Sequence, residues 1–213
     1  MPIGVYTDNL NIAKFNFISD DITLVLSEDE TLLTNFSSSL IKYINTKNKD
    51  LRLVIFNSYE MKNEFDQNVV YVDKNFASGL STFEKYLDTD KKNRNTLIIF
   101  NGFDKIYTAL DTNERKIVES ICKKTRDKKT YDVVFVDVAD SIKKNSFEGG
   151  LKNYVNTSNG IWLGNNIAAQ SVFKITRNTK EMRDVIPENM GYRLFKGIPS
   201  RIKYLEFNKK DVK

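Results

Sequence analysis

Short apolar runs alternate along this chain with stretches that are apolar on one helical face. The runs lie at residues 22–26, 51–56, 69–72, 96–100, 131–138 and 161–164. Several of them are apolar at almost every position, as expected for parallel strands that are covered on both faces. The alternation predicts an α/β domain with a mostly parallel central sheet and crossover helices on its faces.

Three helices are predicted from apolar residues that recur at helical spacing. Two of them cover 81–87 and 113–124, and the clearest begins near Thr31. Its apolar stripe consists of Leu32, Leu33, Phe36, Leu40, Ile41 and Ile44.

A different pattern predicts a β-hairpin near the C-terminus. Residues 191–196 and 201–207 alternate in type, and the Gly-Ile-Pro-Ser segment at 197–200 separates them. We expect a turn at 197–200 and two antiparallel strands at an edge or end of the sheet.

Composition bounds the domain count and excludes several kinds of chemistry. The 213 residues, 40% of them hydrophobic, are enough for one domain over 1–213. The chain has no histidine and a single cysteine, Cys122, which excludes histidine-based nucleophile pairs, cysteine-rich zinc sites and internal disulfides. No run approaches the ~20 apolar residues of a membrane span. We therefore expect no catalytic residue and no metal site of these kinds.

The first strand, the turn after it and the first helix form the setting of a phosphate-binding P-loop. Such a loop needs glycines whose N–H groups surround the phosphates, a lysine for the β and γ phosphates, and a Ser or Thr for Mg²⁺. In this chain the glycine positions hold Ser27, Glu30 and Leu32. The lysine position holds Leu33, and the hydroxyl position holds Thr34.

Only Thr34 keeps the required group. The turn also carries three consecutive carboxylates at 28–30, which suit a helix N-terminus but would repel a triphosphate. We therefore expect neither ATP nor Mg²⁺ to bind here.

A second defect is predicted where the strand at 96–100 ends. In an active site of this type such a strand ends in an acidic Mg²⁺ ligand, whereas here it ends in Asn101 and Gly102. The nearest carboxylate, Asp104, stands two positions too late. The residues expected to bind phosphate and the residue expected to bind Mg²⁺ are thus both missing from one nucleotide pocket.

Several short motifs follow one another along nearly the whole chain. They are Pro2-Ile3-Gly4, a leading strand at 12–17, Asn159-Gly160-Ile161-Trp162-Leu163-Gly164, Gln170-Ser171-Val172-Phe173 and Gly191-Tyr192-Arg193-Leu194-Phe195-Lys196-Gly197. In this order they resemble the FtsK/SpoIIIE-type ATPase modules, most closely the last ATPase domain of EssC-type coupling proteins in type VIIb secretion.

The resemblance implies a RecA-like P-loop NTPase fold in a module cut from a larger membrane-anchored protein, on the cytoplasmic face of the bacterial membrane. It further implies hexameric assembly, contact with the neighbouring ATPase domain of the same chain, and secreted substrates of the WXG100 or LXG type. The last module is often degenerate in this family. The missing nucleotide motifs therefore agree with that position.

The leading hypothesis is a non-catalytic domain that recognises substrates or regulates neighbouring ATPase domains. Exposed apolar residues of the C-terminal third would then bind partners, with Trp162, Phe195 and Ile198 as candidates and ordinary packing as the alternative.

Two rival hypotheses remain. An active hydrolase with unusual ligands is kept open by Thr34, and a DNA-translocating domain by the net charge of +5. The basic residues are scattered, so we expect no nucleic-acid partner.

Overall fold

The computed structural model describes residues 2–14, 22–47, 51–61, 69–89, 96–128, 131–145 and 150–204. Its strands are β1 (Pro2–Tyr6), β2 (Ile12–Lys14), β3 (Ile22–Ser27), β4 (Arg52–Asn57), β5 (Val69–Val72), β6 (Thr96–Asn101), β7 (Tyr131–Val138), β8 (Val155–Leu163), β9 (Met190–Phe195) and β10 (Ile198–Tyr204). Its α-helices are α1 (Glu30–Lys47), α2 (Phe76–Thr89), α3 (Phe103–Ala109), α4 (Thr112–Lys128) and α5 (Ala139–Asn145). Two short 3-10 helices cover Gly150–Asn153 and Lys180–Arg183.

All ten strands belong to one sheet in the order β2-β1-β10-β9-β8-β3-β7-β6-β4-β5. The half from β8 to β5 is parallel, and the half from β2 to β8 is antiparallel. The predicted parallel core and its six strands are therefore confirmed. In this order β7 lies between β3 and β6, so the ends of those three strands stand side by side.

Helices cover both faces of the sheet, as the apolar strands predicted. The buried stripe of α1 packs against one face, where it meets residues such as Val25, Ile55 and Val136. Buried residues of α2, α3, α4 and α5 pack against the other face. Within the described residues no helix combines the length and the apolarity that a bilayer crossing requires.

An aromatic row crosses three neighbouring parallel strands on the face that carries α3. Phe56, Phe100 and Phe135 are in register on β4, β6 and β7, with ring centroids 4.9 Å and 5.5 Å apart. Phe103, the first residue of α3, stacks on Phe135 at 4.0 Å. The row binds the start of α3 to the strands just below their C-terminal ends.

The predicted C-terminal hairpin is present, but its turn and its place in the sheet were predicted wrongly. The turn is Lys196-Gly197, and the next three residues already belong to β10, where Ile198 pairs with Phe195. Both turn residues have positive φ, 52° and 76°, as a two-residue hairpin turn of type I′ requires. Pro199 is tolerated because β1 pairs with β10 only at Ile202–Tyr204.

The hairpin does not lie at the edge of the sheet, because β1 and β2 continue the sheet beyond β10. The leading strand predicted at 12–17 is β2, which covers Ile12–Lys14, and 15–17 lie outside the described residues. Residues 205–207 of the predicted hairpin lie outside them as well. The sequence pattern marks strands, whereas their neighbours are set by contacts between distant parts of the chain.

The turn at Gly197 provides a test of this geometry. A Cβ at Gly197 would stand 2.7 Å from Thr176 Cγ2 and 2.8 Å from the Lys174 carbonyl oxygen. We expect Gly197→Ala to lower the free energy of unfolding by about 1 to 3 kcal/mol, through left-handed backbone strain and this clash. Chemical denaturation measures it.

Lys196→Gly is the matched control in the same turn, since it removes a side chain from a left-handed position and adds no clash. It should change the free energy of unfolding by less than about 1 kcal/mol. Equal stability of Gly197→Ala and the wild type would contradict the turn described here.

Candidate functional site

The strands β3, β7, β6 and β4 are parallel, and their C-terminal ends lie side by side. This row of strand ends, called here the C-terminal edge of the sheet, is where open α/β sheets place their ligands. The positions predicted for a nucleotide site gather at this edge and in the first turns of α1. They are Ser27, Glu30, Leu32, Leu33, Thr34, Asn101 and Gly102. The structure therefore brings together both halves of the predicted pocket.

The connection from β3 to α1 has only two residues, Glu28 and Asp29. The P-loop pattern has eight residues, the first of which form an open loop that leads into the helix N-terminus. Here five of the corresponding positions, 30–34, are already helical. The main chain thus turns directly into the helix and forms no open loop.

The turn between β3 and α1 is closed by hydrogen bonds of its own side chains. The Asp29 carboxylate accepts the Thr31 N–H at 2.7 Å and so caps the helix N-terminus. Ser27 Oγ accepts the Asp29 N–H at 3.0 Å and donates to the Leu163 carbonyl at 3.0 Å. An intramolecular carboxylate therefore occupies the place that suits an anion at a helix N-terminus.

The side chain at the lysine position is in the core, and the side chain at the hydroxyl position bonds to its own helix. Leu33 is fully buried in the core beneath α1. The Thr34 hydroxyl donates to the Glu30 carbonyl at 2.9 Å, one helical turn back. Leu32 lies against Gly164, where a Cβ would stand 2.9 Å from Leu32 Cδ1.

A buried amide network occupies the ends of β4 and β6. Asn101 Oδ1 accepts from the Ser37 hydroxyl at 3.0 Å, and its Nδ2 donates to Asn57 Oδ1 at 2.7 Å and to Met61 Sδ at 2.9 Å. Asn57 Nδ2 donates to the Tyr59 carbonyl at 2.5 Å and to the Tyr71 hydroxyl at 2.8 Å. Asn101 thus joins α1, β4 and β6 as a structural residue.

The chain turns at Gly102 with a φ of 74°, a left-handed conformation that favours glycine. A Cβ at Gly102 would stand 2.0 Å from Ser58 Oγ, which donates to the Gly102 carbonyl at 2.9 Å. The glycine lets the segment after β4 cross over the end of β6.

Sequence reasoning missed one buried carboxylate, Asp137, near the end of β7. Its Oδ1 accepts from the Tyr59 hydroxyl at 3.0 Å and from the Val138 N–H at 2.7 Å. Its Oδ2 accepts the Asp104 N–H at 2.5 Å, in the first turn of α3. Because the N-cap residue of α3 is Gly102, which has no side chain, Asp137 serves as the cap from the neighbouring strand.

Burial governs the ionisation of these groups. It raises the pKa of Asp137 from 3.8 to about 6, although three hydrogen bonds oppose the shift. Burial, together with the charge of Asp137, raises the pKa of the Tyr59 hydroxyl, so that this group stays a donor. Among the described residues, no group of three or more acidic or cysteine side chains could hold a metal ion.

Lys105 brings a positive charge to this edge of the sheet. Lys105 Nζ lies 3.2 Å from Glu30 Oε2 and 5.1 Å from the centroid of the Tyr59 ring. Both partners of the ion pair are about half exposed, so the pair adds little stability. It links the start of α1 to α3 across the edge of the sheet.

The three predicted partner-binding residues divide into two kinds. Trp162 was predicted wrongly, because it is fully buried in β8 and its Nε1 donates to the Asn165 carbonyl at 2.6 Å. Phe195 and Ile198 are 56% and 51% exposed and form a cross-strand pair beside the hairpin turn. Of the three, only these two are exposed.

The raised pKa of Asp137 predicts a pH dependence of stability. A group whose pKa is higher in the folded than in the unfolded protein stabilises the fold when it is protonated. This stabilisation is complete at a pH below the pKa of the unfolded state, and it disappears as the pH rises through the pKa of the folded state. The stability of the wild type relative to Asp137→Asn should therefore rise by about 2 to 3 kcal/mol as pH falls from 7 to 4. Urea unfolding at several pH values measures this difference.

The comparison cancels the contribution of Asp132, whose pKa burial raises to about 7, because both proteins contain that residue. Asp140→Asn, at an exposed position of α5, is the matched control, and its difference from the wild type should stay nearly constant with pH. A difference for Asp137→Asn that stays constant or shrinks on acidification would contradict the assignment.

No protein-family model and no curated protein matches the sequence. Solved structures match it over nearly its whole length. The cytoplasmic domain of the type VII secretion ATPase EccC from Thermomonospora curvata aligns with a TM-score of 0.70 and 13% identity, over 98% of this chain and 26% of that one.

Two further structures contain ATPases 2 and 3 of related proteins. EssC from Geobacillus thermodenitrificans has a TM-score of 0.72 and 12% identity, over 97% of this chain and 41% of that one. Thermomonospora curvata EccC in complex with a signal sequence peptide has a TM-score of 0.70 and 13% identity, over 98% of this chain and 41% of that one.

This chain spans only 26% to 41% of the length of these three structures. An identity of 12% to 13% shows the fold alone. The chain thus has the P-loop ATPase fold of the EccC and EssC ATPase domains, as its resemblance to FtsK/SpoIIIE-type modules predicted.

Proposed function

We propose that this chain is a non-catalytic ATPase-like domain of a type VII secretion coupling protein. It acts in protein export by recognising secreted substrates or by regulating the neighbouring ATPase domains. The two-residue connection between β3 and α1, capped by Asp29, carries the non-catalytic part of the proposal.

A triphosphate would meet an unfavourable site at this connection. The glycine cradle is replaced by helix, and the lysine position holds a leucine in the core. One charge-assisted hydrogen bond contributes about 1.5 to 3 kcal/mol, and each 1.4 kcal/mol is about tenfold in affinity. Losing several such bonds while adding the carboxylates at 28–30 removes binding at cellular nucleotide concentrations.

The Mg²⁺ side of the site supports the same proposal. Asn101 has no negative charge, and its amide atoms are engaged by Ser37, Asn57 and Met61. The nearby carboxylate of Asp137 is turned toward N–H and O–H donors of the protein. Neither residue is arranged to hold a cation.

The secretion part of the proposal rests on the fold and on the family resemblance. The EccC structure that contains a signal sequence peptide supports the idea that modules of this fold contact secreted proteins. By extension, this chain would bind WXG100 or LXG substrates and the neighbouring ATPase domain, in a hexamer on the cytoplasmic face of the membrane.

The hairpin turn offers a rigid surface for a partner. The Gly197 N–H donates to the Ser158 carbonyl at 2.7 Å, and the Gly197 carbonyl accepts the Thr176 N–H at 2.9 Å. The main chain between Phe195 and Ile198 is thus held in place, so a partner that covers them need not order this backbone.

Titration calorimetry with Mg-ATP tests the non-catalytic part. We expect no binding heat at millimolar nucleotide for the wild type, for Thr34→Ala or for Thr46→Ala. The two threonines form a matched pair, since each donates its hydroxyl to the carbonyl four residues back in α1, at 2.9 Å and 2.8 Å.

Micromolar binding that Thr34→Ala abolishes and Thr46→Ala preserves would establish the rival hypothesis of an active nucleotide site. Micromolar binding that neither change affects would also contradict the proposal and would locate the nucleotide elsewhere.

Retention of purified WXG100 or LXG substrates on the immobilised domain tests the partner surface. Replacing both Phe195 and Ile198 by Ser should weaken retention about tenfold or more, because central apolar contacts dominate interface affinity. Val70→Ser, at a 38% exposed position on β5 near the opposite edge of the sheet, is the control. Equal retention by both variants would exclude the hairpin as the binding surface.

A further inference from the structure

We propose that the polar cleft between α1 and the ends of β4 and β5 binds a positively charged side chain, arginine or lysine, of a partner protein. The polar cleft is lined by residues of α1, of the segment 57–61 and of the end of β5. This site is separate from the hairpin surface, and the proposal stands whether or not the domain binds secreted substrates.

The polar cleft has the size of a binding site. Its volume is about 660 Å³, within the range of roughly 300 to 1,000 Å³ that is usual for ligand pockets. Its inner wall is fixed by the amide network, in which Asn57 donates both of its N–H groups to the protein. The lining is therefore largely formed in advance.

Three of the five hydroxyl groups in the lining direct their protons into the protein. Thr34 donates to the Glu30 carbonyl at 2.9 Å, Ser58 to the Gly102 carbonyl at 2.9 Å, and Tyr59 to Asp137 at 3.0 Å. A hydroxyl has one proton and two lone pairs, so each of these groups has only acceptor capacity left. Such a lining matches a ligand that brings donors.

The charge of the lining points to the same ligand chemistry. Two carboxylates, Glu60 and Asp73, line the polar cleft, and no lysine or arginine is among its lining residues. The whole chain, in contrast, has a net charge of +5. Guanidinium and ammonium groups carry donors and a positive charge but no acceptor, and so they fit both features.

Aromatic rings add a third contribution. Tyr59 and Tyr71 line the polar cleft. Lys105 Nζ lies 5.1 Å from the centroid of the Tyr59 ring, so one ring of this lining already has a cation beside it. The lining contains no lysine or arginine that would attract an anion such as phosphate.

Calorimetric titration of the 213-residue protein with a blocked Gly-Arg-Gly peptide tests the proposal. The matching peptide with citrulline in place of arginine keeps the shape and removes the charge, and it should bind at least about tenfold more weakly. The double variant Glu60→Gln with Asp73→Asn should weaken binding of the arginine peptide by a similar factor.

The control variant is Asp8→Asn with Glu188→Gln, which makes the same change of charge at exposed positions outside the lining. It should bind the arginine peptide within about twofold of the wild type. Since all four residues are exposed, circular dichroism should show an unchanged fold for both double variants.

The proposal is overturned by equal binding of the citrulline peptide, by undiminished binding in the Glu60/Asp73 variant, or by no binding of the arginine peptide at millimolar concentration. Spermidine is the final probe. If it binds in a way that depends on Glu60 and Asp73 while the arginine peptide does not bind, the ligand is a free polyamine and the protein partner is excluded.

Discussion

The short connection between β3 and α1 determines how α1 lies against the C-terminal ends of the parallel strands. Because only Glu28 and Asp29 lie between strand and helix, α1 begins close to the sheet and its first turn is capped by its own chain. The Thr34 hydroxyl then bonds back to the helix, and Ser37, nearly one turn later, meets Asn101. The direction of α1 thus decides which side chains face the neighbouring strand ends.

The strand ends are built in two layers that support each other. The aromatic row of Phe56, Phe100, Phe135 and Phe103 fixes the spacing of β4, β6 and β7 on one face. Closer to the C-terminal ends of these strands, the amide network and the Asp137 carboxylate form hydrogen bonds with the polar groups that are buried there. Breaking this second layer leaves buried donors unpaired, which costs about 1 to 3 kcal/mol for each group.

The sequence predicted the parallel strands well because buried strands are apolar over their full length, a local property. It did not predict the place of the hairpin or its turn. Gly197 and Pro199 suggested a turn at 197–200, whereas Lys196 adopts the left-handed conformation and Pro199 is already in β10. Asp137 was missed because a single acidic residue near the end of an apolar strand has no motif, and two of its three partners come from 33 and 78 residues away.

The length of the connection between β3 and α1 also limits how this domain can change. A substitution replaces one side chain, but it leaves the path of the main chain as it is. A lysine at position 33 would lie in the helix and point into the core where Leu33 packs. If the domain is non-catalytic as proposed, a return to nucleotide binding would require a different main-chain path from Ser27 to Glu30 as well as new side chains.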